Sequence, residues 1–337
     1  MSAPLMNAVV QSGFGGPEVL RISRIARPTP GPSDLLVRVH AAGLNRADVL
    51  QREGEYIVPE GQSPIIGIEI AGVVEAVGAE VNSAIVGQRV FGVVAGGGYA
   101  EYCLLDHGMA IPIPTQMGFV EAAAIAEAGL TAHETLFTLG QLGPGQRILI
   151  HAAASGIGTM MVQMARASGA TIYATTGTHE KASRVQALGA DHVINYREED
   201  FARTVQDLTR GEGVHVVEDF IGGAWLERNL EVVREGGVLV IVGLLDGLQA
   251  PLDLLKLVER RIQIKGSSLR LRSLEEKRDV TRRFRERWMP EPEHALKGLQ
   301  PVVHRVYRME QLAAAHSEME NNRNVGKIIL QIVDASV

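Results

Sequence analysis

Between residues 147 and 269 the chain repeats one pattern: a short apolar run, then a stretch with helical spacing. RILIHAA (147–153) leads into a helix to about Ala167, and ATIYATT (170–176) into one ending near Leu188. HVINY (192–196), VHVVEDF (214–220), GGVLVIVGLL (236–245) and IQIKGSSL (262–269) complete six apolar runs. Strands apolar on both faces and alternating with helices require a parallel sheet covered on both sides. Six such strands make a complete doubly wound dinucleotide-binding domain.

The residues before this region have another texture. LLVRVHAAG (35–43), IEIAGVVEAVG (68–78) and GQRVFGVVAGGGYAEYCLL (87–105) are short β-rich runs broken by glycine, which predicts a compact, barrel-like antiparallel domain. After Leu269 come a charged helical stretch, the run VVHRVYRME, a helix over QLAAAHSEMENN and a last strand GKIILQIV (326–333). That tail is expected to return to the first domain. The predicted division is therefore 1–124 with 270–337 for the β-rich domain and 125–269 for the nucleotide-binding domain.

Composition excludes several function classes. Hydrophobic residues are 46% and charged residues 21%, the balance of an ordinary globular protein. A net charge of −6 argues against a nucleic-acid or anionic-membrane partner, since both need a cationic surface, and favours a small-molecule ligand. The longest apolar segment, GVLVIVGLL (237–245), is too short for a bilayer span of about 20 residues, and no signal peptide is visible. Cys103 is the only cysteine, so a reducing, cytoplasmic setting and a buried inert thiol are expected. The basic run RRFRERW (282–288) reads as an amphipathic helix with Phe284 and Trp288 turned inward. His133 and Glu134 read as structural.

The turn after the first strand of the parallel sheet is HAAASGIG (151–158). In the G-x-G-x-x-G register it places Ala153, Ser155 and Gly158, so only the last glycine is kept. The chemistry needs a tight exit from the strand, a backbone close to pyrophosphate, and a helix N-terminus facing the anion. Small side chains meet this need, and Ser155, Gly156, Ile157 and Gly158 are the predicted cradle. The second strand ends Thr175-Thr176-Gly177-Thr178 with no carboxylate at its tip to bind a ribose hydroxyl. Gly177, Thr178 and Lys181 suit a 2′-phosphate, which favours NADPH; Glu180 speaks against it, and an exposed first-turn role for Lys181 is the alternative.

Read together, these residues resemble the medium-chain dehydrogenase/reductase superfamily, and within it the quinone oxidoreductase family that includes zeta-crystallin. The similarity runs through AAGLNRADVLQREGEY (41–56), GIEIAGVVEAVG (67–78), GGGYAEY (96–102), AAAIAEAGLTA (122–132), HAAASGIG, LGADHVINY (188–196) and NRNVGKIIL (322–330). NRADVLQREGEY, EDFIGG (218–223) and the ending around Asn324 are most similar to the tumour-suppressor-inducible quinone oxidoreductase branch.

The resemblance implies a GroES-like domain and a Rossmann domain with the active site in the cleft between them, and a homodimer or homotetramer. Where zinc alcohol dehydrogenases of the superfamily have a cysteine ligand and a Gly-His-Glu motif, this chain has Asn45 and Gly67-Ile68-Glu69. No metal site is expected, and alcohol oxidation without a Lewis acid is disfavoured. The resemblance places Asn45 as an amide donor and Tyr56 as a hydroxyl donor or ring wall beside the acceptor. A tyrosine of the bacterial quinone reductases is replaced by Leu50. On the cofactor side it implies Thr131, Tyr196, Gly243, Leu269 and Asn324. A helix cap, a surface aromatic and a turn former are the alternatives for Thr131, Tyr196 and Asn324.

The expected function is zinc-independent, NADPH-dependent reduction of a quinone. Reduction of an α,β-unsaturated carbonyl or enoyl thioester is the enzymatic alternative. A cofactor-binding sensor or structural protein is the alternative from another class.

Overall fold

The computed structural model describes residues 4–56, 58–290, 296 and 298–333. The chain divides into two compact units, Met1–Leu130 with Arg270–Val337, and Thr131–Leu269.

In the first unit, β1 (Leu5–Gln11) and β2 (Leu20–Ala26) form a two-stranded antiparallel sheet. A seven-stranded sheet is built on β3 (Asp34–Gly43). The chain then forms α1 (Arg46–Glu53), β4 (Glu69–Val77), β5 (Arg89–Val93), β6 (Tyr102–Asp106), β7 (Ile111–Pro112) and α2 (Phe119–Ala123). Helix α3 (Ala126–His133) carries the chain across the division between units.

The second unit holds β8 (Arg147–Ile150), α4 (Gly156–Ala167), β9 (Thr171–Thr176), α5 (His179–Leu188), β10 (His192–Asn195) and α6 (Phe201–Leu208). It continues with β11 (Val214–Asp219), α7 (Trp225–Val232), β12 (Val233–Ile241), α8 (Leu254–Glu259) and β13 (Gln263–Gly266). Its six strands are all parallel and ordered β10-β9-β8-β11-β12-β13. This is the doubly wound order of a dinucleotide-binding sheet, in which the order of strand addition reverses between the adjacent first and fourth strands of the unit, all of them still parallel. Leu149, Val217 and Leu239 are wholly buried at its centre, which is why those runs are apolar without alternation.

The chain returns to the first unit as α9 (Leu274–Trp288), β14 (Val303–Arg308), α10 (Leu312–Glu320) and β15 (Lys327–Gln331). β15 pairs antiparallel with β3 but parallel with β14, so the seven-stranded sheet is mixed rather than wholly antiparallel. Phe284 and Trp288 are buried on α9 as their spacing predicts, while Arg282 pairs with Asp279 and Glu286. A capping box of Ser273 and Glu276 starts this helix. Cys103 is buried on β6, and burial pushes its thiol up to about 12.

Candidate active site and cofactor-binding residues

Most of the predicted cofactor residues of the second unit lie at the carboxyl ends of its strands. β8 ends at Ile150, and the turn that follows places Ala152 in the left-handed region at φ 48°. The sharp conformation thus falls one residue before the position where the fingerprint has its first glycine. Ser155 caps α4, its Oγ accepting from the Gly158 amide at 3.0 Å. A Cβ on Gly158 would lie 2.4 Å from the Ala152 carbonyl oxygen, so the helix meets the strand too closely for any side chain there. Gly158 therefore fills the packing role of the last glycine in the fingerprint. The hydroxyl hydrogen of Ser155 remains available to an anion, and Gly156 and Ile157 open the helix.

Gly177 and Thr178 follow β9, and Thr178 Oγ1 caps α5 by accepting from the Lys181 amide at 3.2 Å. At Gly177 an added Cβ would come within 2.7 Å of Tyr196 Oη and 3.3 Å of Arg197 Nε. Burial, together with the guanidinium of Arg197, pushes the Lys181 ammonium below its usual value, with Glu180 opposing. A tyrosine hydroxyl, a guanidinium and a helix N-terminus thus meet at Gly177, and Lys181 on that helix feels the charge of Arg197. Arg197 escaped the sequence reading because a lone arginine after an exposed aromatic carries no pattern.

Gly243 follows β12, its amide donating to the Asp219 carbonyl at 3.2 Å, and the half-buried Leu269 follows β13. Thr131 is buried on α3, ahead of β8.

The first unit carries the remaining predicted residues. Asn45 caps α1 and is 8% exposed. Its Oδ1 accepts from Lys327 Nζ at 2.8 Å, and its Nδ2 donates to Glu69 Oε1 at 2.7 Å. Lys327 also binds Glu69 Oε1 at 2.5 Å and the Leu44 carbonyl at 3.0 Å, so all three ammonium hydrogens are used. Glu69 Oε2 accepts from the Glu127 amide at 2.7 Å. Sequence reading passed over Lys327 entirely and treated Glu69 only as the remnant of a zinc motif. The structure makes them a buried ion pair that fixes the Asn45 amide.

Below Asn45, the fully buried Asp48 accepts from the Asn45 amide and from Tyr99 Oη at 2.8 Å each, and from the Gly67 amide at 3.2 Å. Burial pushes its carboxyl up to about 6, against the hydrogen bonds and Lys327. Among the described residues no group of three or more His, Cys, Asp or Glu side chains is placed to hold a metal ion.

Tyr56 follows α1 and is half-buried, with the Arg270 guanidinium 4.9 Å from its ring centroid. Burial raises the Tyr56 hydroxyl above its usual value, which keeps it a protonated donor. No hydrogen bond joins it to Asn45 among the described residues. Leu50 is half-buried on α1. Asn324, in the turn before β15, donates its amide to the Gly326 carbonyl at 2.8 Å, the turn-forming contact that the sequence left as an alternative.

A mixed β-rich unit followed by a six-stranded nucleotide-binding sheet is the architecture of the medium-chain dehydrogenase/reductases. Residues 31–115 match the family described as alcohol dehydrogenase GroES-like domain, and residues 156–285 the family described as zinc-binding dehydrogenase. The chain is 32% identical to the quinone oxidoreductase of Sus scrofa over 97% of its length and 98% of the relative's. It is 33% identical to a 2-haloacrylate reductase of Burkholderia sp, again over 97% and 98%. A mycobacterial protein solved in complex with NADPH superposes with a TM-score of 0.84 at 31% identity, covering 97% of this chain and all of that one. The chain belongs to the quinone oxidoreductase family of this superfamily, and it is an oxidoreductase of that type. No helix among the described residues is long and apolar enough to cross a membrane.

Proposed function

We propose that the protein is a zinc-independent, NADPH-dependent quinone reductase. The observation that carries this reading is Lys327, whose ammonium bridges Asn45 and Glu69. A side-chain cation already stands among the residues that correspond to a zinc site, and it leaves no ligand set for a second one. A quinone suits such a protein, because its ring and oxygens absorb the incoming charge without a Lewis acid.

Bound NADPH supplies a hydride, and one proton from solvent completes reduction of the quinone to the hydroquinone. The chain's own residues bind and orient. The Ser155 to Gly158 turn holds the pyrophosphate at the start of α4. Lys181, Arg197, Tyr196 and Thr178 around Gly177 hold the 2′-phosphate, which is the feature favouring NADPH over NADH. Asn45, with one Nδ2 hydrogen on Glu69, keeps the other for an acceptor oxygen, and Tyr56 offers its hydroxyl. Thr131, Gly243, Leu269 and Asn324 remain the proposed contacts of the nicotinamide half.

Reduction of an α,β-unsaturated acid is the second reading, favoured by the similarity to a 2-haloacrylate reductase. It takes the same hydride and adds a proton at the neighbouring carbon. A second copy of the chain is the proposed partner. Among the described residues β13 pairs with β12 alone, and Leu248, Leu254, Leu255 and Val258, between those two strands in the chain, are exposed.

The test is steady-state turnover of an ortho-quinone, a para-quinone and an enone with NADPH and with NADH. Quinone reduction with a preference for NADPH is expected. Turnover of the enone alone, or a preference for NADH, would overturn the assignment.

A further inference from the structure

Arg270 lies just past β13, at the start of the chain's return to the first unit. Its guanidinium is held from two sides. The Tyr56 ring lies beneath it, 4.9 Å to the centroid, and its Nη1 donates to Gln51 Oε1 at 3.0 Å. Gln51 is itself buried on α1, where its Nε2 reaches the Pro64 carbonyl at 3.3 Å. The remaining nitrogens, Nε and Nη2, are buried and have no hydrogen-bond partner.

Leaving a charged donor buried and unsatisfied is expensive, and folded proteins rarely do so without a purpose. The two orphans are also adjacent: Nε and Nη2 form the side edge of the guanidinium, whose two parallel N–H bonds match the two oxygens of a carboxylate. The charge around this edge is already positive in part, since Arg270 also pushes the Lys277 ammonium below its usual value, alongside burial. Glu127 and Asp48 push the Tyr56 hydroxyl up and Arg270 pushes it down, and neither carboxylate is bonded to the orphan edge.

We propose that Arg270 is a specificity-determining residue that binds a carboxylate on the acceptor, so that the preferred substrates are conjugated acids or carboxyl-substituted quinones. The inference rests on the reading of Tyr56 as an acceptor-side residue. Because the guanidinium sits against the Tyr56 ring, the anion belongs to the acceptor's own conjugated system and not to a distant tail. Gln51 and Tyr56 fix the fork in advance, so little ordering is needed when the carboxylate arrives.

Calorimetric titration with cinnamate and its neutral analogue cinnamamide tests this, using wild type, Arg270→Met and Arg270→Lys, each with and without NADP+. Wild type is expected to bind cinnamate about 10- to 100-fold more tightly than cinnamamide, the range for a charge-assisted pair. Arg270→Met should abolish that preference while leaving cinnamamide binding unchanged. Arg270→Lys should keep part of it, as a cation without the fork. No discrimination by wild type, or discrimination surviving in Arg270→Met, would overturn the proposal. So would a loss of NADP+ affinity in Arg270→Met with cinnamate binding intact, which would assign the cation to the cofactor. Discrimination without turnover of any acceptor would instead sink the reductase reading and leave the carboxylate site standing.

Discussion

Lys327 Nζ lies 2.5 Å from Glu69 Oε1, with the two side chains 5% and 0% exposed. The pair is fully satisfied, since Leu44, Asn45 and the Glu127 amide take the remaining bonds. Breaking a buried pair by removing one partner strands the other charge, at a cost of about 3–5 kcal/mol. Lys327→Met is expected to lose that much in denaturant unfolding, and the double variant Lys327→Met with Glu69→Leu markedly less. Equal losses in the two would mean that the pair is not the source of the effect.

Asp48 ties stability to pH. Its carboxyl titrates near 3.8 in the unfolded chain and at about 6 in the fold, because burial penalises the charge. Between those values the folded state holds the extra proton, so the contribution is complete below 3.8 and is lost as the pH rises through 6. The change amounts to about 3 kcal/mol, since each tenfold gain in proton affinity is worth roughly 1.4 kcal/mol. The unfolding free energy of wild type minus that of Asp48→Asn should therefore be larger at pH 4.5 than at pH 7. A difference that stays flat across this range would show that Asp48 is not titrating as the burial demands.

The parallel sheet was legible because strands covered on both faces carry unbroken apolar stretches at their centres, as β8 does over 148–150, β11 at 216–217 and β12 over 238–241. The inward face of α9 was legible for the same reason, since Phe284 and Trp288 sit one helical turn apart. The polar heart of the first unit was not. Lys327 begins an ordinary apolar strand and Glu69 another, and nothing local marks two distant residues as partners; their bond exists only once β15 lies beside β3. Arg197 and Arg270 were hidden in a similar way, each looking like a solvated charge until the fold set the first beside Gly177 and the second against the Tyr56 ring. The left-handed Ala152 left no trace at all, because alanine is not the residue that such a conformation favours.

The cations at Gly177 make a prediction about cofactor choice. Lys181 and Arg197 are close enough for one to depress the other, and an arriving 2′-phosphate relieves that repulsion. Lys181→Ala should weaken NADPH binding by about 10-fold or more, the effect of losing one charge-assisted contact, and leave NADH almost unchanged. Arg197→Ala should act in the same direction. The double variant should fall short of the product, because the two share one ligand group. Fluorescence titration with both cofactors measures this, and equal losses for NADPH and NADH would remove the phosphate from Gly177.

Gly158 separates the shared part of the cofactor from the part that distinguishes the two. An added Cβ would sit 2.4 Å from the Ala152 carbonyl oxygen and 2.7 Å from the Ala153 backbone, neither of which is a flexible side-chain tip. The start of α4 must then move away from β8, and the Gly158 amide loses its place on Ser155 Oγ. Gly158→Ala should destabilise the protein by about 1–3 kcal/mol, as overpacking does. It should also weaken NADPH and NADH by the same factor, because the pyrophosphate is common to both. Thermal unfolding and the two titrations together check it. Selective loss of NADPH in Gly158→Ala would mean that this turn does not hold the pyrophosphate.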